Sequence, residues 1–188
     1  MNTAAAAIRA GGLVAYPTEG VWGLGCDPAD EDALRRLIAL KGRDAGKGLI
    51  LLAADIGQLS PWIAPLDAAT QARLDATWPG PVTWIVRAAE RCPALLTGGR
   101  DTIAVRVTAH PPARELALAA ATALVSTSAN PSGEPPLADA AAVRERFGNE
   151  LAAVVDGPLG GLAGPTEIRD AATGDVIRPA AATGRRER

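Results

Sequence analysis

The chain holds 19 Lys plus Arg, yet Lys41 and Lys47 are its two lysines and both fall within Lys41-Gly-Arg-Asp-Ala-Gly-Lys47. This segment sets a compact point charge, an arginine fork and a second point charge beside two permissive glycines, which suits the holding of phosphates. A solvated helix end followed by a turn accounts for the same residues, because cations at a helix C-terminus stabilise its dipole. A second cluster, Ser126-Thr-Ser128-Ala-Asn130, ends an apolar run. Its alternate positions put hydrogen-bonding side chains on one face of a strand. In a parallel sheet, strand ends are where ligands bind. Asn130-Pro-Ser-Gly133 also reads as a turn, which leaves the alternation unexplained.

Familiar nucleotide and nucleophile patterns fail. A P-loop needs four residues between its first glycine and Gly-Lys, followed by Ser or Thr. Only three residues lie between Gly42 and Gly46, and Lys47 is followed by Gly48. Gly20-Val-Trp-Gly23-Leu-Gly25 has the reverse of the dinucleotide glycine order. The single histidine, His110, precedes Pro111-Pro112 and reads as structural at a helix start. Cys26 and Cys92 lack nearby Cys or His partners, so neither zinc nor a disulfide scaffold is indicated, and a reduced cytoplasm is expected. No metal-binding cluster is expected.

Composition narrows the class. With 48% hydrophobic and 21% charged residues and no apolar run near membrane-spanning length, the chain reads as soluble and globular. Met1-Asn-Thr-Ala-Ala-Ala-Ala-Ile-Arg9 is too short and alanine-rich for a secretory signal and is expected to be a helix. A net charge of −2 and a pI near 5.5 argue against a broad nucleic-acid surface. An aromatic content of 3% argues against a stacking platform for RNA, and Trp62, Trp78 and Trp84 read as core.

Short apolar runs alternating with helical patterns indicate an α/β domain. Strands are expected at Leu13–Tyr16, Leu49–Ala53, Val82–Val86, Thr102–Val107, Ala123–Ser128 and Ala152–Val155. Helices are expected from Asp30 to about Leu40, over Asp67–Thr77, Pro111–Ala121 and Asp139–Phe147. Asp156-Gly-Pro-Leu-Gly-Gly-Leu-Ala-Gly-Pro165 is a loop by composition, either a flexible linker or a segment that closes over a ligand. One domain over residues 1–180 with a disordered tail at 181–188 is expected.

Pro17-Thr18-Glu19-Gly-Val-Trp-Gly-Leu-Gly25, Lys41-Gly-Arg43, Trp78-Pro-Gly-Pro-Val-Thr83, Ala104-Val-Arg106-Val and Ser126-Thr-Ser-Ala-Asn130-Pro-Ser-Gly133 together resemble the YrdC/Sua5 family in order and spacing. The resemblance runs from about residue 5 to Pro179 and is to its short bacterial branch, without the further C-terminal domain of the Sua5 type. It implies an open, twisted α/β sheet with flanking helices around a positively charged cavity. It also implies that L-threonine, bicarbonate and ATP give L-threonylcarbamoyladenylate and pyrophosphate, for N6-threonylcarbamoyladenosine in tRNAs that read ANN codons. The partners would be downstream tRNA threonylcarbamoyltransferase proteins, with direct tRNA contact open. A pure RNA-binding or ribosome-maturation module is the alternative within the family, and the carbamoyl-transfer module of hydrogenase maturation is a third.

The resemblance assigns residues. Lys41 and Arg43 match a Lys-x-Arg motif expected to act on the phosphates as catalytic cations, with Lys47 beside them. Ser128, Asn130 and Arg178 match nucleotide-binding positions. Thr18, Arg106, Ser126 and Thr166 fall at the threonine site, where the Arg106 fork suits a carboxylate. Mg²⁺ would be carried by ATP. Leu52 stands where many relatives carry histidine, and Thr166-Glu167-Ile168 where relatives read Ser-Thr-Ile.

Overall fold

The computed structural model describes residues 1–181. The expected tail therefore lies, apart from Ala181, outside the described residues. Nine strands form one sheet, in the order β7-β1-β2-β6-β3-β5-β4-β8-β9. They are β1 (Val14–Pro17), β2 (Trp22–Gly25), β3 (Ile50–Ala53), β4 (Val82–Arg87), β5 (Thr102–Val107), β6 (Leu124–Ser128), β7 (Ala153–Val154), β8 (Glu167–Asp170) and β9 (Val176–Arg178). The helices are α1 (Asn2–Arg9), α2 (Glu31–Lys41), α3 (Ala68–Asp75), α4 (Ala94–Thr97), α5 (Pro111–Ala120) and α6 (Ala140–Phe147).

The sheet is mixed rather than parallel. β3 runs parallel to β5 but antiparallel to β6, and β1–β2 and β2–β6 are also antiparallel. The reason is local: β1 and β2 are joined by a tight turn at Thr18–Val21, closed by Thr18 N–H to Val21 O, which forces them antiparallel. A rule built on parallel strand ends therefore does not locate the site.

Alternation along each strand sorts side chains into two clusters. Leu51 of β3, Val105 of β5 and Val125 of β6 face the larger core with Leu34 and Leu37 of α2, Leu74 of α3 and Phe147 of α6. Leu52 and Leu124 face the opposite side, beneath Ile8 of α1 and Leu116 of α5. Each of the fully buried leucines stabilises the fold by about 1.5–3 kcal/mol. Since α1 and α5 cover one part of this second face, residues farther along it stay open to a ligand. Among the tryptophans expected in the core, Trp84 is buried, while Trp62 and Trp78 are partly buried against the larger cluster. Among the described residues, no helix is long and apolar enough to cross a membrane.

Helix α2 shows how sequence delivers a site residue. Asp30 caps it by accepting from Ala33 N–H, and Glu31 and Asp32 complement the dipole in its first turn. Gly42, at φ 57°, ends it in the left-handed conformation, with Gly42 N–H to Ala39 O and Arg43 N–H to Ile38 O. That reversal carries Arg43 away from the helix and toward the open sheet face.

Candidate active site

The uncovered part of the second face forms a cavity. β3 contributes Ile50, β5 Arg106, and β6 Ser126 and Ser128. Register brings them together, since Ile50 pairs with Ser126, Leu52 with Arg106 and Gly23 with Ser128. The β1–β2 turn adds Thr18 and Val21, the α2–β3 connection Arg43, and the last segments Thr166 and Arg178. Ile50, Arg106, Ser126 and Ser128 thus converge because the strands that carry them are neighbours.

Arg106 anchors the site and is 3% exposed. Its Nη1 donates to Thr83 Oγ1 at 3.0 Å and to Thr166 Oγ1 at 2.9 Å. Its Nη2 lies 3.2 Å from Glu19 Oε2, and Glu19 Oε1 accepts from Thr108 Oγ1 at 2.6 Å. Thr18 Oγ1 donates to Val21 O at 2.7 Å, which leaves that oxygen as an acceptor. Arg178 Nη2 donates to Thr166 O at 2.7 Å. Burial, and secondarily the neighbouring Arg106, lower the Arg178 pKa. Arg43 donates from Nε and Nη2 to Gly48 O, and burial lowers its pKa as well. Both arginines stay cationic at neutral pH.

Lys41, Asn130 and Lys47 lie outside the lining of this cavity. Lys41 is buried, and its Nζ donates to Ser128 O and, at 2.6 Å, to Asn130 O. Ser132 N–H returns a bond to Lys41 O at 2.7 Å, and Asn130 Nδ2 donates to Pro131 O and Glu134 O. These contacts stitch the end of α2 to the segment that follows β6. Burial first, and Arg43 second, push the Lys41 ammonium down to about 8. Asn130 departs from the face of Ser126 and Ser128 because the strand ends at Ser128. Lys47 lines an adjoining cavity with Arg100, Ile85 and Ile177, which shares Arg43, Ile50 and Arg178 with the first.

Other sequence expectations also find their places. Leu52 is fully buried in the smaller cluster and is absent from the cavity lining. His110 stands at the N-cap of α5 with its Nε2 3.0 Å from Pro158 O, so it tethers the glycine-rich loop. That loop lies against the β1–β2 turn: Gly160 N–H donates to Thr18 O and Leu162 N–H to Glu19 O, both at 3.0 Å. Gly20 is required there, because a Cβ on it would stand 1.9 Å from Gly164 O. Glu19 and Thr83 were not singled out as site residues from sequence. Glu19 lay inside the Pro-Thr-Glu motif, and Thr83 was visible as a polar residue in an apolar strand.

Among the described residues, no group of three or more His, Cys, Asp or Glu is arranged to hold a metal ion. The lining offers hydroxyls and arginines but no carboxylate. The residues therefore fit an anionic ligand, and a divalent cation would find its oxygen donors on such a ligand.

The profile of the Sua5/YciO/YrdC family, described as telomere recombination, matches residues 6–180. A threonylcarbamoyl-AMP synthase from Halorhodospira halophila is 55% identical over 175 residues, covering 93% of this chain and 92% of that protein. The crystal structure of P. abyssi Sua5 complexed with L-threonine superposes with a TM-score of 0.88 at 34% identity, covering 95% of this chain. The chain spans 53% of that Sua5 chain. E. coli YciO superposes with a TM-score of 0.82 at 27% identity, covering 96% of this chain and 89% of YciO. With its profile matched over nearly the whole length and the same sheet underneath, the chain belongs to the Sua5/YciO/YrdC family.

Proposed function

We propose that this chain is an L-threonylcarbamoyladenylate synthase, a nucleotidyltransferase that uses L-threonine, bicarbonate and ATP and releases pyrophosphate. The observation that carries the reading is the buried Arg106 fork, held by two threonine hydroxyls, in a cavity that also gathers Arg43 and Arg178. The name of the H. halophila relative and the threonine bound to P. abyssi Sua5 point the same way.

Threonine's amine and bicarbonate form a carbamate with loss of water. A carbamate oxygen then bonds to the α-phosphorus of ATP as the bond to the β-phosphate oxygen breaks, and pyrophosphate leaves. An anion attacks an anion, so cations and positioning supply most of the rate. Arg106 takes the threonine carboxylate, with Thr18, Ser126 and Thr166 around the amino acid. Arg43, Arg178 and Ser128 face the nucleotide. Lys47 and the adjoining cavity, whose lining includes Ile85 and Ile177, extend the site toward the remaining phosphates and the base. Lys41 and Asn130 act from behind, by fixing the segment that bears Ser128 and by adding positive charge near the α-phosphate. Mg²⁺ would be held by the ATP phosphates rather than by side chains of this chain, and would offset part of their charge. The product supplies N6-threonylcarbamoyladenosine synthesis on tRNA through separate threonylcarbamoyltransferase proteins, a cytoplasmic task performed by a single domain.

Incubating the purified protein with threonine, bicarbonate and ATP should yield the adenylate by mass spectrometry, with one pyrophosphate per adenylate. Pyrophosphate release that does not depend on threonine would overturn the reading.

A further inference from the structure

We infer that Glu19 is a positioning residue of the carboxylate site: it fixes the Arg106 fork and ties it to the glycine-rich loop, whose Pro165 lines the cavity. The inference rests on Arg106 taking the threonine carboxylate. Glu19 is 6% exposed and Arg106 3%, so each charge would be costly without the other. Among the described residues, Glu19 is the acid within ion-pair distance of Arg106.

The donors of Arg106 are unequally spent. Nη1 serves Thr83 and Thr166, while Nη2 approaches Glu19. The 3.2 Å approach is an ion contact rather than a directed hydrogen bond, and Glu19 Oε2 and Arg106 Nε both lack a hydrogen-bond partner among the described residues. The fork therefore keeps donor capacity for a planar anion. Its own charge is meanwhile compensated by Glu19, so Arg106 needs no other counter-ion before substrate arrives. Thr108 Oγ1 sets the carboxylate's direction at 2.6 Å. The Glu19 backbone accepts from Leu162 N–H, and a Cβ on Gly160 would stand 2.8 Å from Glu19 Cα. From the turn after β1, one residue thus contacts strand β5 and the loop before β8.

The test compares Glu19→Gln, Thr108→Val and Arg106→Lys by steady-state kinetics with threonine and ATP varied separately. Glu19→Gln keeps the shape and removes the charge that holds the fork. Its threonine KM should rise about 10–100-fold, the scale of coupling between contacting groups in one charged network, with ATP KM nearly unchanged. Thr108→Val should move threonine KM the same way by about 3–10-fold. A merely structural role lowers the folded fraction and leaves the threonine KM of the folded enzyme alone. If Arg106→Lys raises threonine KM while the other two variants do not, the positioning role is refuted and the carboxylate reading stands. If none of the three raises it, both are refuted. Should Glu19→Gln fail to fold, Thr108→Val decides.

Discussion

Replacing Lys41 by Met removes the ammonium while keeping an apolar stem of similar length, and two opposing terms set the outcome. Ser128 O and Asn130 O lose their donor, at about 1–3 kcal/mol for each buried carbonyl. Against this, a buried ammonium whose pKa has fallen from 10.5 to about 8 is disfavoured by about 3 kcal/mol, and that burden is lifted. The net change is therefore small, from about 1 kcal/mol of stabilisation to about 3 kcal/mol of destabilisation, so Tm moves by no more than roughly 10 °C for a chain of this size. Turnover should suffer more, by about 10²-fold, because the segment bearing Ser126 and Ser128 loses its tie and the charge behind the α-phosphate disappears. The sign of the pH dependence is a second handle. The folded pKa lies below the unfolded one, so the unfolded chain binds more protons between about pH 8 and 10.5, and stability rises with pH across that window. Wild type should gain stability relative to Lys41→Met from pH 8 to 10, followed by denaturant titration. Near-full turnover in the variant would refute the role, and a wild-type advantage that shrinks with pH would refute the burial argument.

Other expectations follow from the same geometry. Gly20→Ala should push the glycine-rich loop off the β1–β2 turn, because its Cβ meets Gly164 O at 1.9 Å; kcat/KM should fall more than about 10-fold, and limited proteolysis should newly cut within residues 156–165. Arg178→Met removes a cation and the bond to Thr166 O, so ATP KM should rise by about 10-fold and exceed any change in threonine KM. Burial pushes the Cys26 thiol up to about 12 and Cys92 up to about 11. At pH 8 the thiolate fraction of Cys92 is about 10⁻³, so a thiol reagent should label the native protein slowly and the unfolded protein fast.

What was legible in the sequence depended on period and punctuation. Helix α2 was readable because Asp30 opens it and Leu34, Leu37 and Lys41 keep one face. Strands β3, β5 and β6 were readable as apolar runs. Strand β2 was not, since two of the four residues in Trp22–Gly25 are glycines. Gly25 is there for a tertiary reason, as a Cβ would stand 2.1 Å from Val125 O. Strands β8 and β9 were missed because Glu167-Ile-Arg-Asp and Val176-Ile-Arg are half-buried or exposed and carry little apolar signal. The Lys-x-Arg and Ser-x-Asn segments stood out by residue type and spacing. That Lys41 and Asn130 clasp each other behind the cavity, and that Glu19 and Thr83 brace Arg106, depends on strand register that no local pattern encodes.

The path of the glycine-rich loop also reports the curl of the sheet. Counted along the strand order, the loop leaves β7 at one edge and enters β8 next to the far edge, seven inter-strand spacings away. It takes a shorter way: Gly160 and Leu162 are bonded to Thr18 and Glu19, Gly164 O packs against Gly20, and Thr166 meets Arg106 of β5. Two residues from Gly164 to Thr166 span no more than about 7 Å, so the start of β8 lies close to the β1–β2 turn and the sheet must bend around the cavity to bring them together. The loop is a seam along the open side of that bend, and deleting residues between Gly160 and Thr166 would pull β8 away from Arg106.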